Sequence, residues 1–397
     1  MNFNLFKFKP KDILGIDIGT SSIKIVELSK KSGRFHLSNY GIFELKGSVQ
    51  DNQNKELSGS YLGHNILKLP DQEIIWGVKE LIKKTNIKSK NVIASIPSFS
   101  TFATVIEMPY LSEEDLAKSI HFEARKYVPI PMTEVVLDWS IIGIKEAKKK
   151  IVNKNMLPAP PLSKADDGGG YKNGKDKKSQ NKEPSGPTIV EVFLAAVSKN
   201  ETTRYQNIMK EAGLKLIALE LENSALIRSL LGNDLSPTAI VSIGGRSTSI
   251  IIVSKGYERI SHNYEIGGFE ITKSISRSLS ISLKRAEELK RQFGLKETNE
   301  NIVREAMVSS VDMMIFETKK TITNYEESKG EKISRIVLSG GLANMPGFLD
   351  YFKRKIDTTI YVGNVFSRVV HDQGLVSIVP SLNNVFAVAV GLAMRGK

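Results

Sequence analysis

Two short segments of this sequence combine glycine with small hydroxyl residues in a way that suits phosphate binding. The first runs Asp17-Ile-Gly-Thr-Ser-Ser22, and the second runs Ser242-Ile-Gly-Gly-Arg-Ser-Thr248. In a tight turn of this composition several backbone N–H groups point into one concavity, and such a nest binds phosphate oxygens. Glycine is favoured there because a Cβ atom would crowd the turn or the anion. The predicted phosphate contacts are Gly19, Thr20, Ser21, Ser22, Lys24, Gly244, Gly245, Ser247 and Thr248.

Asp17 comes directly before the first turn and is predicted to hold Mg²⁺ through water molecules. Mg²⁺ prefers oxygen ligands and keeps part of its hydration shell, so one carboxylate beside phosphate groups can be enough. Lys24 follows the same turn, where it either adds positive charge for the phosphates or is a solvated strand residue. One such turn is a weak signal. Because there are two, we predict a nucleoside triphosphate bound between them.

Strands on both sides of each turn must position these residues. Residues 13–28 are predicted to form a buried strand, a tight turn and a second strand, and residues 239–253 repeat the pattern. Each unit continues into a third strand, near 34–45 and near 258–265. The β-branched residues and the polar turns support strands. The sequence therefore predicts an α/β fold with at least two three-stranded sheets.

Helices and further strands are predicted around these units. Ile74, Ile75, Val78, Leu81 and Ile82 form an apolar stripe, and Ser112 is a predicted N-cap of a helix that carries Leu116, Ile120, Ala124 and Tyr127. The other predicted elements are strands at 190–198 and 214–221 and helices at 202–212, 348–356 and 382–394. Helices packed on sheets in this way are typical of the α/β class.

The net charge of +13 invites a nucleic-acid interpretation, but its distribution argues against one. The stretch 145–187 holds eleven lysines against five acids, so almost half of the excess charge lies in it. This composition cannot bury enough apolar surface to offset the entropy of ordering, so we predict a disordered basic insertion. Tyr171 is the only aromatic residue there, and base stacking requires aromatic side chains. No nucleic-acid partner is expected.

The remaining composition is typical of a soluble globular protein. The 397 residues are 41% apolar and 25% charged, and that length predicts more than one packed unit. The absence of cysteine excludes disulfides and thiolate metal sites and favours a reducing compartment. We recognise neither a signal peptide nor a membrane-spanning stretch, so the protein is predicted to be cytoplasmic. The basic and aromatic N-terminus (1–11) is either a frayed end or a contact with an anionic membrane.

At these motifs the chain resembles the superfamily of actin, Hsp70 and the sugar kinases. Asp17-Ile-Gly-Thr-Ser is similar to its first phosphate motif, Ile243-Gly-Gly to Thr248 to its second, and Leu338-Ser-Gly-Gly341 to its adenosine motif. Other segments narrow the resemblance to the PilM family of type IV pilus assembly proteins, which is related to FtsA. They are Ile16 to Leu28, Phe122-Glu-Ala-Arg-Lys-Tyr-Val-Pro-Ile-Pro131, Glu134-Val-Val-Leu-Asp-Trp139, Ala286-Glu-Glu-Leu-Lys-Arg291 and Gly340-Gly-Leu-Ala343.

This resemblance implies a duplicated actin/Hsp70-like fold with a nucleotide cleft and the extra subdomain that PilM and FtsA share. The units that it implies are subdomain 1A at 12–97, 217–235 and 381–396, the extra subdomain 1C at 98–216 with the insertion 145–187, subdomain 2A at 238–283 and 334–380, and subdomain 2B at 284–333. It also implies ATP or ADP with Mg²⁺ as ligands. The nucleoside contacts that it implies are Glu287, Lys290, Gly340, Gly341, Leu342 and Met345.

Three site residues have a second interpretation, and a fourth position, Ser242, departs from its motif. Glu287 and Lys290 lie three apart on one helix face, where a surface ion pair would be expected without the resemblance. Ser242 stands where the second phosphate motif normally carries Asp, and serine offers a metal no negative charge, so slow or absent hydrolysis is expected. Glu222 either supplies the missing catalytic acid or caps a helix at 223–231.

The implied function is an ATP-binding scaffold at the inner face of the cytoplasmic membrane. Proteins of this type bind the short cytoplasmic N-terminal tail of the single-span membrane protein PilN, so membrane contact would be indirect. A groove that takes an extended peptide is a common recognition mode. The alternatives are an FtsA-like protein that self-associates into filaments and a sugar-kinase-like phosphotransferase. The latter requires a general base, for which the sequence offers no clear aspartate.

Overall fold

The computed structural model describes residues 13–45, 70–145, 188–297 and 301–395. The predictions for the N-terminus (1–11) and for the basic insertion that follows Lys145 lie outside these residues. Within the described ranges, no helix is both long enough and apolar enough to cross a membrane.

The elements alternate along the chain as expected for an α/β protein. The strands are β1 (Ile13–Ile18), β2 (Ser22–Lys31), β3 (Arg34–Glu44), β4 (Asn91–Ile96), β5 (Thr101–Pro109), β6 (Val135–Lys145), β7 (Ile189–Ser198), β8 (Lys215–Leu221), β9 (Thr238–Ile243), β10 (Thr248–Ser254), β11 (Tyr257–Tyr264), β12 (Arg335–Ser339), β13 (Thr359–Val362) and β14 (Val369–Val370). The helices are α1 (Asp71–Thr85), α2 (Glu113–Ala124), α3 (Lys199–Glu211), α4 (Glu222–Leu230), α5 (Gly268–Leu279), α6 (Leu283–Phe293), α7 (Ile302–Lys329), α8 (Phe348–Lys355), α9 (Val379–Leu382) and α10 (Ala387–Met394).

Two large sheets repeat one topology, which confirms the predicted duplication. The first sheet has the strand order β14-β3-β2-β1-β4-β8, and the second has the order β11-β10-β9-β12-β13. In each sheet two antiparallel hairpins come first along the chain, and two parallel strands then extend the sheet on the other side. The strands β1, β2, β3, β4 and β8 therefore correspond to β9, β10, β11, β12 and β13.

A small antiparallel sheet with the order β5-β7-β6 forms an extra unit after β4. α2 packs on it, and Ser112 caps this helix as predicted, because its hydroxyl accepts a hydrogen bond from the Asp115 N–H at 3.2 Å. α3 and β8 do not belong to this unit, since β8 pairs with β4 in the first sheet and α3 packs on the same core. The elements of the small sheet thus end at Ser198, whereas the predicted boundary lies at 216.

α4 and α10 lie between the two large sheets and connect the halves of the fold. One apolar cluster contains residues of both helices and of both sheets, among them Val26, Leu226, Ile251 and Val390. The helices cross in backbone contact, since a Cβ atom added at Gly391 would collide with the carbonyl oxygen of Ala225. The outer face of the first sheet is covered by α1 and α3, and the outer face of the second is covered by α5 to α8.

Glu258 of β11 is buried against the first turn of α4. Burial raises the pKa of this carboxyl group, although the side chains of Ser261 and Asn223 donate hydrogen bonds that oppose the rise. Oε2 of Glu258 and Oδ1 of Asn223 are both buried without a hydrogen-bond partner among the described residues. A neutral carboxyl group has an O–H that can donate, whereas an ionised one can only accept.

We therefore expect Glu258→Gln to be at least as stable as the wild type at neutral pH. From about pH 4.3 upward the unfolded chain ionises Glu258, whereas the raised pKa delays ionisation in the folded protein, so the wild type loses stability as pH rises until the folded protein ionises too. Glutamine keeps the shape and removes this loss, which should flatten the dependence of the thermal midpoint on pH. Glu258→Ala is the control, since it leaves Asn223 without its partner and should destabilise the fold by about 1–3 kcal/mol at every pH. A Gln variant as unstable as the Ala variant would contradict a raised pKa of Glu258.

Candidate functional site

A cleft lies between the two halves, where β1, β4, β9 and β12 end. Its cavity has a volume of about 1190 Å³ and is lined by residues of both large sheets and of α4 and α6. It brings together every predicted site residue except Thr248. Those that line it are Asp17, Gly19, Thr20, Ser21, Ser22, Lys24, Glu222, Gly244, Gly245, Ser247, Glu287, Lys290, Gly340, Gly341, Leu342 and Met345.

The two predicted phosphate turns have the same backbone geometry. In the first, the Gly19 N–H donates to the Ser22 carbonyl at 3.0 Å, and in the second, the Gly244 N–H donates to the Ser247 carbonyl at 2.9 Å. The turns face each other closely, because a Cβ atom added at Gly245 would lie 2.8 Å from Oγ of Ser21. A ligand between them would thus meet backbone and hydroxyl donors from both halves of the fold.

Thr248 does not line the cavity. Its hydroxyl donates to the Ile266 carbonyl at 2.6 Å, and the residue is fully buried. Thr248 therefore holds the chain that leads into α5. That segment also supports the second turn directly, since the N–H groups of Gly268 and Phe269 donate to the carbonyls of Gly244 and Gly245 at 3.0 and 2.7 Å.

Asp17 is buried at the floor of the first half, and its carboxylate is shared between two partners. Lys24 lies 3.2 Å from Oδ2, and the Ser95 hydroxyl donates to Oδ1 at 3.2 Å. No cluster of three or more His, Cys, Asp or Glu side chains in the described ranges could hold a metal by itself. Mg²⁺ at this site would take one carboxylate contact, directly or through water, and would find its remaining ligands on phosphates and water.

The second half has a row of hydroxyl groups where the first half has charges. The strand pairing aligns Ser242 with Ser249 and with Ser339, as it aligns Asp17 with Lys24. In the repeat, Ser242 therefore takes the place of Asp17, and Ser249 takes the place of Lys24. Position 242 thus lacks an acid, as expected, and position 249 lacks the lysine that pairs with the acid in the first half. The acids that could hold a metal or move a proton beside the phosphate turns, Asp17 and Glu222, both belong to the first half.

Glu222 begins α4 and lies close to Asp17 in the cleft. Burial, and after it the negative charge of Asp17, raise the pKa of the Glu222 carboxyl group to about 7, against the opposing effects of Lys24 and of a hydrogen bond from the Ser98 N–H. A carboxyl group that titrates near neutral pH can accept or donate a proton under working conditions. The predicted capping role is wrong, because α4 begins at Glu222 itself and its N-cap is Leu221, which makes no side-chain capping hydrogen bond. The role of catalytic acid stays a prediction.

Glu287 and Lys290 form a buried network under α5. Lys290 lies 2.6 Å from Glu287, and its ammonium group donates to the Gly268 carbonyl at 3.0 Å and to Oγ1 of Thr272 at 2.8 Å. Burial lowers the pKa of Lys290. Burial alone would raise the pKa of Glu287, but Lys290 and the hydrogen bonds lower it overall. Both residues line the cavity, yet their polar groups also hold α5 and α6 together beside the second turn.

The predicted adenosine motif forms the wall next to this network. Gly340 has a φ of +88°, and a Cβ atom there would collide with the carbonyl oxygen of Ile243, so only glycine fits. Gly341 faces open space, with nothing within 4 Å of an added Cβ atom. Leu342 and Met345 are buried and give this wall an apolar surface.

Several residues that line the cavity were not predicted from the sequence. Arg246, whose guanidinium lies 5.4 Å from the ring centroid of Phe269, stands at the second turn. Glu201 and Tyr205 reach the cavity from α3, and Asn384 reaches it from the turn before α10. The aliphatic positions of α3 indicate only that the helix is amphipathic. Only Arg246, within the second turn, could have been chosen from its position in a motif.

Comparison of the sequence with models of known protein families agrees with this geometry. A family model described as "Type IV pilus assembly protein PilM" matches residues 15–160 and 176–397. The chain belongs to the PilM family. Among curated relatives, cell division protein FtsA of Bacillus subtilis (strain 168) is 23% identical over 383 residues, which cover 88% of this chain and 78% of FtsA. The ethanolamine utilization protein EutJ of Escherichia coli (strain K12) is 28% identical over 149 residues, 38% of this chain and 48% of EutJ.

Solved structures show that the fold is shared. A chain of the "PilM-PilN type IV pilus biogenesis complex" superposes with a TM-score of 0.73 at 19% identity, over 98% of this chain and 99% of that one. EutJ of Carboxydothermus hydrogenoformans gives a TM-score of 0.51 at 15% identity, over 96% and 90% of the two chains. The fold is the duplicated actin-like α/β fold that the sequence predicted.

Proposed function

We propose that this protein is a nucleotide-binding scaffold of the type IV pilus assembly platform, placed at the cytoplasmic face of the inner membrane. Membership of the PilM family supports the role in pilus assembly. The observation that carries nucleotide binding is the pair of facing turns, Gly19 to Ser22 and Gly244 to Ser247, which open into one cavity from two copies of the same sheet. Nests of backbone N–H groups on both sides suit a triphosphate.

Different residues of the cleft would bind different parts of ATP. Backbone N–H groups and hydroxyls of the two turns bind phosphate oxygens, and Lys24 adds a positive charge beside Asp17. When bound, Mg²⁺ would neutralise phosphate charge, and Asp17 would hold it. Leu342 and Met345 offer an apolar wall to the base. Because this ligand contacts both halves, its binding favours a closed cleft.

We further propose that ATP binding outweighs turnover in this protein. Ser242 and Ser249 stand where the first half has Asp17 and Lys24, so the second half offers no carboxylate at this position to the metal or to an attacking water. Glu222, whose pKa is raised to about 7, is then the acid left to accept a proton from an attacking water. Slow hydrolysis would let the bound nucleotide act as a long-lived signal. The two alternative functions, self-association into filaments and phosphoryl transfer to a small acceptor, stay predictions.

The proposed partner is the cytoplasmic N-terminal segment of a PilN-like membrane protein. The PilM-PilN complex with the same fold supports this choice. The unit formed by the small sheet and α2 is the candidate contact region, because it exposes large aromatic side chains, which are enriched at protein interfaces. Phe122 is 68% exposed, and Tyr110 and Tyr127 are also exposed. Membrane attachment would then be indirect.

A labelled peptide with the N-terminal sequence of the cognate PilN-like protein tests this function. We expect it to bind, and its affinity to differ by about fivefold or more between the nucleotide-free and the ATP–Mg²⁺ states, as measured by fluorescence anisotropy. A peptide of the same composition in scrambled order is the control. If the native peptide fails to bind in every nucleotide state, the scaffold function is wrong.

A further inference from the structure

A row of polar side chains crosses the second sheet. Direct strand pairing places Ser339 of β12, Ser242 of β9, Ser249 of β10 and Asn263 of β11 next to one another in that order. The three serines are buried, and Ser339 and Ser242 line the nucleotide cavity. The row therefore runs from the floor of the cleft to the opposite edge of the sheet, where β11 lies.

At that edge the row meets Ser98, which connects β4 to the small sheet. Ser98 is only 7% exposed, and its Oγ lies 3.0 Å from Oγ of Ser249 and 3.1 Å from Oδ1 of Asn263. A hydroxyl group has one hydrogen to donate. Ser98 donates it to the Asn263 oxygen, which can only accept, so Ser249 must donate to Ser98. Each of these three side chains fixes the orientation of the next.

The backbone of Ser98 extends the same connection to the two other parts of the molecule. Its N–H donates to the carboxyl group of Glu222, the acid that lies beside Asp17 in the cleft. Its carbonyl accepts a hydrogen bond from Oγ1 of Thr101, the first residue of β5, at 3.0 Å. One residue therefore contacts the acid of the first half, the polar row of the second half and the start of the small sheet.

A second link holds the small sheet to the second half. Arg259 of β11 donates to Oε2 of Glu191 on β7 at 2.9 Å, and Lys145 of β6 holds the other oxygen of this carboxylate at 2.6 Å. Both Glu191 and Arg259 are largely buried, so the pair fixes the distance between β7 and β11 more firmly than an exposed pair would. The small sheet and the segment that leads into it are thus attached to the second half at two points, although in the sequence the small sheet follows β4 of the first half.

We propose that Ser98 couples the nucleotide cleft to the small sheet. When the two halves move relative to each other, Ser249 and Asn263 move with the second half and Glu222 moves with the first. Ser98 contacts both, so it cannot keep all of its hydrogen bonds in the open and the closed cleft. The contact that it gives up determines the position of β5. The bound nucleotide thereby sets the conformation of the unit proposed to meet the membrane partner. This inference rests on the proposed nucleotide binding.

Hydrogen exchange of the full-length protein tests the coupling without any partner. We expect ATP–Mg²⁺ to change amide exchange in β5 and β7 of the wild type. Ser98→Ala removes the hydroxyl and keeps the backbone contacts, so this change should be lost while the ATP dissociation constant stays within about twofold. Ser249→Ala breaks the same contact from the other side and should have the same effect. Ser140→Ala, on β6 of the small sheet, is the matched control and should keep the full response.

The outcomes separate the coupling from the proposed function. If ATP binds and β5 and β7 respond equally in the wild type and in both variants, Ser98 does not couple the sites. The same conclusion follows if ATP binds and leaves exchange in the small sheet of the wild type unchanged. If ATP does not bind to the wild type at all, nucleotide binding itself is wrong, and the coupling is overturned with it. If Ser98→Ala unfolds, Ser249→Ala decides.

Discussion

Replacing Asp17 with asparagine is expected to weaken ATP binding in the presence of Mg²⁺ by about tenfold to a hundredfold. The amide keeps the size of the side chain but removes the charge that would hold the metal. It also frees Lys24, which lies 3.2 Å from the Asp17 carboxylate, to approach the phosphates. Binding of ATP without Mg²⁺ should therefore stay the same or become tighter. The variant should lose most of the difference between the two conditions.

Isothermal titration of ATP with Mg²⁺ and with EDTA measures both affinities. Asp350→Asn is the matched control, because it makes the same exchange at an exposed position in the first turn of α8. It should bind ATP as the wild type does in both conditions. An Asp17→Asn variant with undiminished Mg²⁺ dependence would show that the metal is held elsewhere.

The second large effect is expected from Gly245→Val, which should prevent the two turns from closing on a ligand. An added Cβ atom would lie 2.8 Å from Oγ and 2.9 Å from Cβ of Ser21, and the methyl groups of valine extend the overlap. Relieving such a clash costs about 1–3 kcal/mol, so ATP affinity should fall by about tenfold or more. The side chain enters the cleft and not the core, so the thermal midpoint should change little.

Gly341→Ala provides the control within the same cavity. A Cβ atom at Gly341 has no protein atom within 4 Å, so this variant adds a methyl group to the cavity without a clash between the turns and should weaken ATP binding less than Gly245→Val does. If Gly245→Val binds ATP as tightly as Gly341→Ala does, the two turns are not close together in the state that binds nucleotide. The difference between the two variants, measured by calorimetry, is the quantity to report.

Most of the site could be predicted because its residues lie in short, local motifs. The tight turns with glycine, the strands around them and the N-cap at Ser112 depend on neighbours a few residues apart. Thr248 shows where motif matching goes wrong. Aligning Gly244 with Gly19 places Thr248 at the position of Ile23, a core residue, so the repeat itself argued against a ligand contact there. Its β-branched shape fits that buried strand position.

Contacts between distant residues determine what the sequence did not reveal. α3 and β8 follow the small sheet along the chain, but β8 belongs to the first sheet because its residues pair with β4, more than a hundred positions earlier. The predicted helix at 382–394 is interrupted before α10 for a similar reason. The Asn383 side chain accepts a hydrogen bond from the Phe366 N–H at 3.0 Å, and Asn384 donates to Asn344 at 2.7 Å. These bonds bend the chain at a place with no local signal.

The crossing of α4 and α10 determines what kind of motion the two halves can make. Backbones in contact at Gly391 and Ala225 leave no room for one helix to slide across the other, but they permit a small rotation about the crossing. The crossing then acts as a pivot, and displacement grows with distance from it. The pair of Arg291 and Glu44, 3.6 Å apart and exposed on opposite halves, should separate when the cleft opens. Labels attached to cysteines introduced at these two positions can measure that distance, since the chain has no cysteine of its own that would also react with the label.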